Sequence, residues 1–148
     1  LNFPNGYIFL GDSGAYFSGF LLAIIAIMLP ARNPEISSWV SLLICFYPIM
    51  ETIFSIFRKF KRKGHHPSKP DSVHFHMLVY RGIARNSSKK MNLVNFRNPI
   101  TSIFMWGFPI INSIMALFSL KETYLPFFMV ILTLLIYLLI YKKVSLNW

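Results

Sequence analysis

The chain has one cysteine, Cys45, among 148 residues, which excludes both an intramolecular disulfide framework and a cysteine metal cluster. Carboxylates are scarce too. Asp12, Glu35, Glu51, Asp71 and Glu122 stand against 15 Lys and Arg, for a formal net charge of +10. Charged residues of both signs make up only 14% of the chain and hydrophobic ones 55%, a balance that excludes an ordinary soluble domain of this size. Internal repeats and low-complexity tracts are lacking, and no charged n-region or cleavage pattern precedes the first apolar stretch.

What is abundant is apolar sequence in long runs. Stretches 7–29, 39–57, 100–120 and 124–141 approach or exceed the roughly 20 residues that cross a bilayer core of about 30 Å. A membrane β-barrel would need segments of about 10 residues that alternate apolar and polar, whereas LLAIIAIML and FFMVILTLLIYLLI are continuous. The sequence therefore predicts an all-α polytopic membrane protein with four transmembrane helices and one long basic loop, residues 58–98. Pro30 is expected to end the first span, and Ser37 or Ser38 to cap the second helix. Gly64, Pro67 and Pro70 rule out a helix that continues through the start of the loop. Within the loop, DSVHFHMLVYRGIAR is expected to lie as an amphipathic stretch at the membrane surface.

Cations set the orientation. Eleven of the 15 fall between Arg58 and Arg97, two more are Lys142 and Lys143, and only Arg32 and Lys121 lie elsewhere. With four spans, alternation places thirteen on one side and two on the other, so the positive-inside rule makes the loop and the C-terminus cytoplasmic. The net charge is read mainly as topology and not as a nucleic-acid signal, although a basic face at a membrane also attracts anionic lipids and phosphorylated substrates.

Three constellations could carry chemistry. Asp12 sits between two glycines in IFLGDSGAYFSGFLL, where an acid inside a span costs about 2.5–3.5 kcal/mol. Two readings are compatible: it is the N-cap of a helix that begins at Ser13, and it is an exposed hard-oxygen ligand for Mg²⁺, which takes one or two carboxylates plus substrate phosphates. Next, His65, His66, His74 and His76 cluster around Asp71. Their spacing matches no compact zinc pattern; His74 and His76, with Arg81 nearby, fit a donor-rich patch for a phosphate or diphosphate. Third, Glu51 follows Pro48 in the second span, about two turns from Arg58, and is expected to pair with a neighbouring helix or reach an aqueous cleft.

Three motifs in order, N-F-P-N-G-Y-I-F-L-G-D-S-G, YPIMETIFSIFRKFKRK with its P-x-x-E, and the P-D-x-x-H-x-H of PDSVHFHMLVYRG, resemble the polyprenyl-phosphate N-acetylhexosamine-1-phosphate transferases. The resemblance covers essentially the whole chain, as the C-terminal half of such an enzyme, and implies further residues upstream of Leu1 that hold the family's Asp-Asp pair and second catalytic acid. It implies an Mg²⁺-dependent enzyme of the bacterial inner membrane, with its active face cytoplasmic. That enzyme transfers a hexosamine-1-phosphate from a UDP-sugar to a polyprenyl phosphate and releases UMP, without nucleic acid as a partner and with oligomerisation left open. Carried over residue by residue, Asp12 would be the metal ligand, Phe9 the aromatic on uracil, Asn2 a nucleoside-pocket residue, and His74 and His76 the catalytic-loop histidines. Arg81 is a candidate phosphate contact. Many members have a further His where this chain has Met77, which bears on sugar specificity.

Two other classes compete. A non-enzymatic four-helix membrane protein whose basic loop binds anionic lipid would tolerate changes at Asp12, His74 and His76. A metal-ion transporter would require acids or histidines on several helices, and the last two spans supply none.

Overall fold

The computed structural model describes residues 3–61, 74–92 and 96–146. Asn2, His65, His66 and Asp71, singled out in the sequence, lie outside the described residues. The regular structure among the described residues is all helical, with no strand among them. In chain order they form α1 (Gly11–Arg32), α2 (Ser38–Ile44), α3 (Phe46–Lys61), α4 (Phe75–Val79), a π-helical turn (Tyr80–Ala84), α5 (Arg85–Lys90), α6 (Arg97–Phe118) and α7 (Leu125–Leu146). Three helices, α1, α6 and α7, are long and apolar enough to cross a membrane, and the bent pair α2–α3 makes up to four if it counts as one span. Their surfaces agree with a membrane setting. Phe17, Phe20, Ile27, Ile103, Ile111, Leu117, Phe128 and Leu139 are all exposed, an apolar surface far larger than soluble monomers carry.

Local chemistry explains the element boundaries. Gly6 and Gly11 both hold φ near +70°, a region that strains any L side chain, and between them residues 7–10 enter α1 without helical structure. The first helix therefore starts at Gly11. Leu10 occupies its cap position without a side-chain bond, and Asp12 sits in the first turn instead of capping the helix. Pro30 does not end α1; it lies within the last turn, and the helix runs to Arg32 before Asn33 closes it by donating from its backbone N–H to Leu29 O. Ser37 is the cap of α2, its Oγ accepting from Trp39 N–H at 3.3 Å.

The second span is not a straight rod. α2 and α3 meet at Cys45 with a bend of 74°. Pro48 gives the reason: it has no N–H for the carbonyl of Ile44 and is tolerated only in a first helical turn, so a new helix begins at Phe46. Bending turns α3 against the loop segment and α7. Its core is aromatic, with Phe46, Phe75, Phe108, Tyr137 and Tyr141 buried together with Leu78, Val79 and Val144. A second cluster, Val40, Leu43 and Ala116, sits where α2 meets α6.

Residues 75–90 form one helical stretch interrupted only by the π turn. The apolar side of the amphipathic segment expected at the membrane surface packs into the protein core. Phe75, Leu78, Val79 and Ala84 are almost wholly buried, and the segment packs on α6 and α7. Because Arg58 donates to Tyr141 Oη at 3.2 Å, the C-terminal ends of α3 and α7 lie together, and the cations around them gather at one end of the bundle.

Candidate functional site

At that end a pocket of about 570 Å³ opens between the N-terminal segment and α6. Phe9 and His76 line it together with Asn98, Thr101, Ser102 and Trp106. The first two come from separate motifs of the sequence, and the fold brings them to one pocket. Phe3 packs on Trp106 with ring centroids 4.9 Å apart, which holds the N-terminal segment against α6. Phe9 is 96% exposed, so its face is available for stacking on a planar ligand. Sequence reasoning missed the α6 wall. Its signal was present: Asn98, Thr101, Ser102 and Met105 follow an i, i+3, i+4, i+7 spacing, a mostly polar stripe at the start of an apolar helix.

Glu51 organises the histidines. Its Oε1 accepts from His74 Nδ1 at 3.0 Å and from the Phe75 backbone N–H at 3.1 Å, while Oε2 accepts from Tyr137 Oη at 2.8 Å. The carboxylate is thus enclosed, 13% exposed, with three donors facing it. The Phe75 bond satisfies a first-turn N–H of α4 that has no partner within the helix, a capping role supplied from another helix. His74 in turn stacks nearly parallel on His76, with ring centroids 5.7 Å apart and 11° between planes. Partial enclosure and, after it, the neighbouring His74 hold His76 below the ordinary histidine range, against an opposing effect of Glu51. A neutral imidazole in the pocket offers one donor and one acceptor.

Other sequence candidates fall outside this arrangement. Asp12 is exposed in the first turn of α1 and does not line the pocket, although it lies three residues after Phe9. Arg81 sits on the π turn, half-buried, and is also not a lining residue. Among the described residues no three His, Cys, Asp or Glu side chains converge on a common metal position. Cys45, at the α2–α3 bend, is a buried packing residue.

Arg58 completes the polar end of the core. Its guanidinium lies over the rings of Phe54 and Tyr141 at 5.7 and 5.5 Å, so the cation is held by π faces as well as by the tyrosine hydroxyl. Comparison with protein-family models, with curated proteins and with solved structures gave no match for this chain.

Proposed function

We propose that this chain forms part of a polyprenyl-phosphate N-acetylhexosamine-1-phosphate transferase of the bacterial inner membrane, working at its cytoplasmic face. The supporting observation is the pocket shared by Phe9 and His76, residues drawn from two motifs that the resemblance assigns to one nucleotide-sugar site. Its volume falls within the range of small-ligand pockets, about 300–1,000 Å³, and it combines an exposed aromatic ring with polar side chains. The thirteen cations gathered on the loop side favour a cytoplasmic orientation and attract anionic substrates.

In this reading an oxygen of the polyprenyl phosphate attacks the β-phosphorus of a UDP-sugar. The new P–O bond forms as the bond from the β-phosphorus to the bridging oxygen breaks, and UMP leaves with that oxygen. Such a transfer depends on positioning and charge neutralisation more than on covalent participation by the protein. Phe9 stacks on the uracil, His76 hydrogen-bonds the donor from the opposite motif, and His74 supports it from behind. Asn2 belongs to the nucleoside pocket by the same resemblance.

A hard divalent cation suits a carboxylate donor. Asp12 is an exposed carboxylate at a helix start near Phe9, and Mg²⁺ is held by one or two carboxylates with phosphate oxygens and water filling the rest. When bound there, the ion neutralises diphosphate charge. Asp12 would hold it, from the exposed first turn of α1.

The test is UMP release from UDP-GlcNAc by the full-length protein in membranes supplied with undecaprenyl phosphate. Release that requires both Mg²⁺ and the lipid, and that falls by about 10²-fold or more in Asp12→Asn, supports the reading. Wild-type turnover in Asp12→Asn removes the metal role, and no UMP from any UDP-hexosamine removes the transferase.

A further inference from the structure

We propose that Glu51 is the positioning residue of the histidine pair: by accepting the Nδ1 proton of His74 and the first N–H of α4, it fixes the ring and tautomer of His74 against which His76 stacks at the pocket wall. Four observations carry this. Glu51 Oε1 serves His74 and Phe75 at once, at 3.0 and 3.1 Å, so the side chain and the backbone of adjacent residues are located by one atom. The carboxylate is itself located from the far side by Tyr137, 2.8 Å from Oε2, and Tyr137 is fully buried among Phe46, Phe54 and Phe75. The α2–α3 bend at Cys45 aims this part of α3 at the loop helix. Finally, the near-parallel His74–His76 stack passes the fixed orientation to the ring that lines the pocket.

Chemistry makes the tautomer a consequence. A carboxylate only accepts, so the nitrogen facing it carries the proton, and in neutral His74 the other nitrogen, Nε2, is the acceptor. An imidazole held this way by a carboxylate is fixed in tautomer and ring orientation. The hydrogen bonds of Glu51 among the described residues go to His74, Phe75 and Tyr137, none of which lines the pocket, so it acts through the histidines. The inference rests on the transferase reading only for the substrate that the positioned rings meet.

The test is ¹⁵N NMR of the full-length protein, labelled at histidine and held in lipid nanodiscs at about pH 8.5, above the ordinary histidine range. His74 is assigned by its loss in His74→Gln. In the wild type Nδ1 of His74 carries a proton. Glu51→Gln keeps an oxygen acceptor at the same place and retains that state, whereas Glu51→Leu loses it, giving a mixture or the Nε2–H form. Turnover follows the same order, with Glu51→Leu down about 10–100-fold and Glu51→Gln recovering most of it. An unprotonated Nδ1 in the wild type overturns the proposal, a reading that needs no variant to fold. So does a wild-type His74 spectrum in Glu51→Leu. Because the spectrum needs no substrate, a protein that releases no UMP yet shows the Glu51-dependent tautomer breaks the transferase reading and leaves this one standing.

Discussion

Two acids placed in apolar sequence meet opposite fates here. Glu51 is enclosed at the junction of α3, α4 and α7, with His74, Phe75 and Tyr137 all donating to it. Asp12 stands exposed at the start of α1, a helix with no buried residue that packs mainly on α2. An acid in apolar sequence is tolerated where donors face it or where it stays at an exposed position; Glu51 is the first case and Asp12 the second. The difference separates roles. An enclosed carboxylate already held by three donors positions those neighbours, whereas an exposed one at a helix start keeps its acceptor sites open. The junction is thus internally partnered, and the start of α1 is exposed.

Removing the aromatic centre of the junction is the strongest way to break that contrast. Phe75→Ala deletes a fully buried ring that packs on Phe104, Phe108, Tyr137 and Tyr141, and should destabilise the full-length protein by about 3–5 kcal/mol. Denaturant unfolding in mixed micelles measures it, and a loss under 1 kcal/mol would show that the loop helix is not part of the core. A smaller effect is expected from Tyr137→Phe, which leaves Glu51 without one donor. About 1–3 kcal/mol should be lost in the same assay, because the remaining carboxylate oxygen stays enclosed.

His76 tests the junction through pH. Its pKa is held low in the fold, so between the folded value and the ordinary value near 6.5 the unfolded chain binds more protons than the native one. Its contribution to stability is therefore complete above about pH 6.5 and declines as pH falls through the lowered folded value. His74 and Glu51 face this ring, so the midpoint should be followed in His76→Gln as well. Thermal midpoints from pH 8 to pH 5 should fall less in that variant, and an unchanged slope would remove His76 as the source. The smallest effect belongs to α1. Phe17→Ala, on the exposed surface of that helix, should change stability by no more than about 0.5 kcal/mol, and a loss like that of Phe75→Ala would mean that α1 is as tightly packed as the junction.

These contrasts also mark what the sequence makes legible. α1, α6 and α7 could be read from apolar length alone, because a span needs no partner to declare itself, and the cap at Ser37 followed from local hydrogen bonding. The break at Cys45 was readable in principle from Pro48, whose missing N–H acts on a carbonyl four residues back, but an apolar run conceals it. Glu51 announced only that it needed donors. That Tyr137 and His74 supply them depends on contacts far apart in the chain, which no periodicity encodes. The burial of Phe75, Leu78, Val79 and Ala84 was hidden for the same reason: the apolar side of an amphipathic helix fits a membrane surface and a protein core equally well until its neighbour is known. Phe9 and His76 were each legible as motif residues, and their shared pocket only from the fold.

Central to the account is that Phe9 and His76 form one nucleotide-sugar site, and a double-mutant cycle for UDP binding to the full-length protein in nanodiscs tests it most directly. Phe9→Ala should weaken UDP by about 1–3 kcal/mol, the value of a base stacked on an aromatic ring, and His76→Gln by about 1 kcal/mol. Coupling of 0.5 kcal/mol or more between them is the predicted result. Wild-type affinity for UDP in both single variants would contradict it.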